Sequence, residues 1–206
     1  MRLPRPSPNA RQQILVELKG GLSYVHQEGA LLALTVLAMA TTTLGLPVRA
    51  FLPVFAADAA HLSRMMTALG AGAVAGALVV AWLGKFRHMG RTLLVMQVVF
   101  GGLVAAFALL PVTVFSYVIL FLGGGALLTV FSLTNSLVQL TVPNELRGRV
   151  LSIYLVAFRG GMPVGSLVSG YFITLASAPL VIAINGGLLI AVATYFLLRS
   201  HGVREL

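Results

Sequence analysis

The chain has 206 residues, 58% of them hydrophobic and 9% charged, where a soluble domain holds roughly 45–50% and about 25%. No water-soluble fold of this length buries so much apolar surface and a disordered chain has the opposite composition, so both classes are excluded. The net charge of +9 comes from 14 Lys and Arg against 5 Asp and Glu. These charges are scattered between long apolar runs, which reads as membrane-loop and headgroup chemistry and not as nucleic-acid binding. With no Cys, disulfides, thiolate zinc sites and redox pairs are excluded as well.

Residues 1–28 read as a lead-in on the cytoplasmic side. Pro4, Pro6 and Pro8 stand beside Arg2 and Arg5, and then Leu15, Leu18, Leu22 and Val25 recur among Arg11, Gln12, Glu17 and Lys19. That spacing predicts an amphipathic helix on the membrane surface, weakened by Gly20 and Gly21. A transmembrane domain over 29–198 follows. Six apolar runs, at about 30–55, 65–83, 92–110, 114–141, 150–175 and 179–198, are each long enough to cross a hydrocarbon core of about 30 Å. Residues 199–206 form a tail.

Of the 14 basic residues, eleven fall on one side of such a six-span chain: Arg2, Arg5, Arg11, Lys19, Lys85, Arg87, Arg91, Arg147, Arg149, Arg199 and Arg204. The loops of the other side hold Arg64 alone. The positive-inside rule therefore predicts that both termini are cytoplasmic. Glycine is abundant inside the spans, where small residues let helix backbones approach. Gly72 and Gly76 form a small-xxx-small pair on the second span, and Gly101, Gly123–Gly125, Gly160, Gly161, Gly165, Gly170 and Gly186 continue the pattern.

Enzymatic constellations are missing. An intramembrane serine protease needs Gly-x-Ser-Gly and a membrane-embedded His, but His26, His61, His88 and His201 all lie at span ends or in loops. Asp58 is the only Asp, and no His-Glu-x-x-His cluster exists, so neither a catalytic residue nor a metal ligand is assigned. Gly70-x-Gly72-x-x-Ala75 fits a dinucleotide fingerprint in letters only. It lies mid-span with no strand before it, so no cofactor is expected and helix packing is the reading.

In the first span, Thr42 lies in a Thr41–Thr43 run followed by Pro47, Arg49 and Pro53, which predicts a bent helix. Arg49 reads either as an interface anchor or as part of an outer gate. The fourth span carries a polar stripe of Thr129, Ser132, Ser136 and Gln139 with Asn135 alongside. Interhelical hydrogen bonding and solute contact both account for it. Arg159 lies roughly 14 Å into the fifth span at about 1.5 Å per residue, where insertion costs about 2.5–3.5 kcal/mol. Snorkelling to the interface and a role in transport are the two readings. Gly160, Gly161, Pro163 and Gly165 after it predict a helix break. The third and sixth spans carry little beyond Gln97 and Asn185 and read as supporting helices.

Pro143-Asn144-Glu145-Leu146-Arg147-Gly148-Arg149-Val150, running into Arg159-Gly160-Gly161-Met162-Pro163-Val164-Gly165, resembles the C-terminal half of a major facilitator superfamily transporter. It is most similar to the branch containing the enterobactin exporter. The resemblance covers nearly everything after Arg11. It implies an all-α fold, six helices of a twelve-helix transporter, in a bacterial inner membrane. The first, second, fourth and fifth spans would surround a solute cavity, here containing Arg159, Asn135, Gln139, Thr42 and Arg49. The implied activity is secondary transport of small organic solutes, as a drug or siderophore efflux permease without covalent chemistry. The implied partners are the lipid bilayer, the solute, and an N-terminal six-helix half or a second copy of the chain. A half-size homodimer and a non-transporting scaffold or remnant remain as other classes. The loop Gly84–Arg91 resembles the family's Asp-Arg-x-Gly-Arg loop, with Arg87 at the Asp position, His88 at the first Arg, and Gly90 and Arg91 matching. Glu145, Arg147 and Arg149 complete the cytoplasmic loop residues.

Overall fold

In hydrocarbon every backbone N–H and C=O needs an internal partner, and each apolar run meets that demand by forming helix. The computed structural model describes residue 26 and residues 28–110, 114–144, 146–199 and 201–204, so the expected surface helix of the lead-in and Glu145 lie outside the described residues. The elements are α1 (Gly29–Ala40), a π-helical segment (Thr41–Gly45), α2 (Pro47–Phe55), α3 (Ala59–Leu83), α4 (Met89–Leu109), α5 (Val114–Thr141), α6 (Arg147–Leu175), α7 (Ala178–Arg199) and the short α8 (His201–Arg204). The segment α1–π–α2 is one span, Gly29–Phe55, so the described residues form six spans, with short connections that make neighbours antiparallel. Among the described residues the fold is all-α.

Three spans begin earlier than hydrophobicity predicts, each by a polar turn. The α3 helix reaches back to Ala59 because the Asp58 carboxylate accepts the His61 backbone N–H at 2.6 Å, an N-cap. The α4 and α6 helices open at Met89 and Arg147. Gly90, Arg91, Arg147 and Arg149 thus stand in first helical turns and not in loops, while Arg87 keeps its loop position. His88, just before α4, adopts a left-handed conformation at φ 70°.

The irregularity of the first span has a local cause. The Thr41 hydroxyl donates to the Leu37 carbonyl at 2.7 Å and Thr42 donates to those of Ala38 and Met39 at 3.1 Å, so side chains compete with the backbone ladder. Pro47 then has no N–H to return to Thr43. The expected break on the fifth span at Gly160, Gly161, Pro163 and Gly165 is not formed: α6 continues through all four residues with Pro163 inside it. Two of these glycines are instead the seat of the first span. A Cβ on Gly161 would overlap the Thr42 hydroxyl, and one on Gly165 the Thr43 carbonyl.

Similar backbone contacts join the other spans. A Cβ on Gly72 of α3 would strike the Phe121 carbonyl of α5, one on Gly76 would lie 2.5 Å from the Gly125 carbonyl, and one on Gly124 would strike Leu69. Gly101 of α4 and Gly186 of α7 meet in the same way, each Cβ falling within 2.8 Å of the other's carbonyl. Gly160 is exposed and has open space where a Cβ would go, and Gly123, although buried, also has room for one. Two apolar cores lie along the bundle. One joins Leu31, Leu34, Leu94, Leu133, Leu137 and Tyr154. The other joins Leu52, Met65, Phe100, Phe107, Ile182 and Leu189.

Gln97 of α4 is fully buried, and neither its amide nitrogen nor its carbonyl oxygen has a hydrogen-bond partner among the described residues. The third span is therefore not a plain outer support: it is buried along Leu93, Leu94, Gln97, Phe100 and Val104. The second span is the most open of the six. In the sixth, Asn185 donates to the Ser169 hydroxyl at 2.9 Å, tying α7 to α6.

Two stability outcomes follow from this packing. Gly72→Leu drives a side chain into the α5 backbone and should lower stability in detergent by about 1–3 kcal/mol, whereas Gly102→Ala, where a Cβ meets nothing within 4 Å, should leave it unchanged. Thermal unfolding followed by size-exclusion fluorescence separates them, and equal behaviour of the two variants refutes the glycine contact. By the same assay Gln97→Leu should be stabilising by about 1 kcal/mol, because an unpartnered buried amide is removed. A clear loss of stability there would mean that Gln97 has a partner.

Candidate transport surface

The polar residues of the fourth span lie along a series of recesses. Phe131, Asn135 and Gln139 are four residues apart, so they stand one above another on a single face of α5. Three cavities follow that face. The first, of about 340 Å³, is bounded by Arg49 of α2, Met66 and Gly70 of α3, Leu127 and Phe131 of α5, and Met162 of α6. The second, about 250 Å³, is bounded by Phe131, Ser132, Asn135, Tyr154, Leu155 and Phe158. The third, about 450 Å³, lies at the basic end of the bundle between Lys85, Ser136, Gln139, Leu140 and Arg147.

Phe131 is a wall of both the first and the second cavity. It is held by an edge contact with Phe158, ring centroids 4.7 Å apart, and Phe158 lies 5.8 Å from the Tyr154 ring. At the basic end Arg147 donates to the Gln139 carbonyl at 3.5 Å, near the C-terminus of α5, where terminal carbonyls lack intrahelical partners and cations are favoured. Arg147 therefore fastens the start of the fifth span to the end of the fourth.

Each residue expected in the cavity can now be placed. Arg49, Asn135 and Gln139 each line one of the three cavities, on the first and fourth spans. Thr42 does not line them: it is fully buried at the crossing with α6, and its hydroxyl is already engaged by α1 carbonyls. Arg159 is exposed on α6, about 18 Å from the Arg147 end of the helix at about 1.5 Å per residue, and is not a lining residue of these three cavities. It has no hydrogen-bonding or ionic partner among the described residues. Pro163 also has no N–H to give the Arg159 carbonyl, so both backbone and side chain of Arg159 offer polar groups to the open side of the helix.

Lys85, Tyr154, Phe131, Met66 and Met162 were not expected from the sequence. Phe131 was within reach, because it shares the four-residue spacing of Asn135 and Gln139. The methionines were not, since a Met in an apolar span carries no mark of the face it occupies.

The spans that meet around this surface are the first, second, fourth and fifth, with Phe100 of the third closing one wall. Among curated proteins and among solved structures nothing matches the chain. A protein-family model described as transmembrane secretion effector matches residues 2–204. With six spans arranged as above and a family match running almost from end to end, the chain belongs to the transmembrane secretion effector family, a group of membrane transporters of the major facilitator type.

Proposed function

We propose that the protein is a secondary active efflux permease for small organic solutes of drug or siderophore type, related within its family to the enterobactin exporter branch. The observation that carries this reading is the row of three cavities along one face of α5, from Arg49 to the Gln139–Arg147 end. A fixed scaffold has no need of successive recesses along one helix face, two of them sharing the Phe131 wall, whereas a solute crossing the bilayer does. The basic end, with Lys85, Arg87, Arg91, Arg147 and Arg149, faces the cytoplasm of a bacterial cell, and both termini lie there. The open faces of the second and fifth spans are covered by an N-terminal six-helix half or by a second copy of the chain.

In this scheme Asn135 and Gln139 meet the solute along the track. Arg159, uncompensated at mid-depth, couples solute movement to the change of access. Deleting the gene should raise retention of at least one amphiphilic compound in cells, and restoring it should reverse the effect. Arg159→Ala should abolish efflux at an unchanged membrane level, with Arg159→Lys recovering part of it. Normal efflux by Arg159→Ala would remove that residue from the mechanism. A broad compound panel with no change on deletion would leave the scaffold or remnant class in place of transport.

A further inference from the structure

We infer that the cavity beneath Arg49 binds an amphiphilic organic anion, with the guanidinium taking a carboxylate or sulfonate and the apolar walls taking the body. This deepens the transport reading and rests on it for the fate of the ligand, though not for its binding. Arg49 is the one charged residue lining the cavity of about 340 Å³, and its other walls include Met66, Leu69, Phe131 and Met162. No carboxylate lines it. Among the described residues the only carboxylates are Glu28 and Asp58, at the two ends of the first span, and the Asp58 side chain is committed to the cap of α3.

Lys85 and Arg147 stand at the basic end, where the distribution of charge already accounts for them. Arg49 stands towards the opposite end, about 9 Å before the close of α2 at about 1.5 Å per residue, where that rule makes cations few and the loops hold only Arg64. Arg49 is exposed at the rim of this apolar recess, so its guanidinium is accessible to a ligand that enters, and its planar fork suits a carboxylate or sulfonate. The recess falls within the size range of small-molecule sites, with one charged group fixing orientation and apolar walls supplying contact. A solute leaving by the row of cavities meets Lys85 and Arg147 at one end and Arg49 at the other, with the uncharged Ser132, Asn135 and Tyr154 between them.

Two fluorescent probes with the same aromatic body test this: 1-anilinonaphthalene-8-sulfonate and neutral N-phenyl-1-naphthylamine, titrated into the full native assembly purified in mild detergent, with detergent alone subtracted. The sulfonate should bind more tightly than the neutral amine. Arg49→Gln should weaken the sulfonate by about tenfold and leave the amine unchanged, with Arg49→Lys in between. Parallel loss of both probes, or no change in either, overturns the proposal, and a carboxylate of an accompanying half paired with Arg49 would produce one of those results. A second variant covers misfolding of Arg49→Gln. Gly70 borders the cavity and a Cβ there meets nothing within 4 Å, so Gly70→Leu should fold and displace both probes. Unchanged sulfonate affinity in Gly70→Leu also overturns it. Efflux is measured separately: Arg49-dependent binding without movement of any solute leaves the anion site standing and removes the transport reading. Efflux of neutral compounds with no selectivity at Arg49 does the reverse.

Discussion

The structure depends on backbone meeting backbone at glycine. Inside a bilayer the lipid tails are as apolar as Leu, so burying one more aliphatic side chain between helices gains little over leaving it in lipid. Close approach is what distinguishes a bundle from six separate helices. It is reached at Gly72 and Gly76 against Phe121 and Gly125, at Gly101 against Gly186, and at Gly161 and Gly165 against Thr42 and Thr43. These contacts join the second span to the fourth, the third to the sixth and the first to the fifth, while α4 also packs along α5.

The same contacts explain where the recesses are. Between the first–fifth pair and the second–fourth pair there is no glycine seat; α2 and α3 touch only lightly, and the cavity bordered by Arg49 lies there. Longer side chains such as Met66, Phe131 and Met162 line this gap. A gap bounded by thioethers and rings accepts varied shapes, since Met repacks with little penalty. The cavity is thus a consequence of which helices are pinned.

Hydrophobic runs were sufficient to place all six spans and both ends of the fourth, because 20 or so apolar residues admit one explanation in a membrane chain. They misplaced the starts of α3, α4 and α6, where a capped or charged turn continues the helix beyond the apolar window. The polar stripe marks the face on which Asn135 and Gln139 border cavities, since side chains four apart share a face. Thr42 was misread for a related reason. A hydroxyl that bonds its own helix at i−4 has the same letter as one that faces a solute, and only the partner span reveals the difference. The Gly160–Gly165 segment shows the limit in the other direction. Glycine beside proline is equally the signature of a broken helix and of a seat for a neighbour. The choice was made by the first span, whose threonine run had already loosened its own ladder.

That division of labour bears on how such a bundle moves. The π-helical segment Thr41–Gly45 is the one irregular stretch inside a span among the described residues, and it lies against α6 with no clearance at Gly161 and Gly165. A shift there is hard to take up by side-chain rotation, because Gly165 meets the Thr43 backbone and Gly161 meets a Thr42 hydroxyl already bonded to its own helix, and a packed core does not deform continuously. The first and fifth spans must therefore turn together, carrying Arg49, Met162 and Arg159 as a body. The second and fourth spans, locked at Gly72 and Gly124, form the other body and carry Met66, Phe131, Asn135 and Gln139. The recesses bordered by Arg49 and by Tyr154 lie between these two pairs and take walls from both, while the buried cluster of Leu31, Leu34, Leu133, Leu137 and Tyr154 ties the pairs to each other.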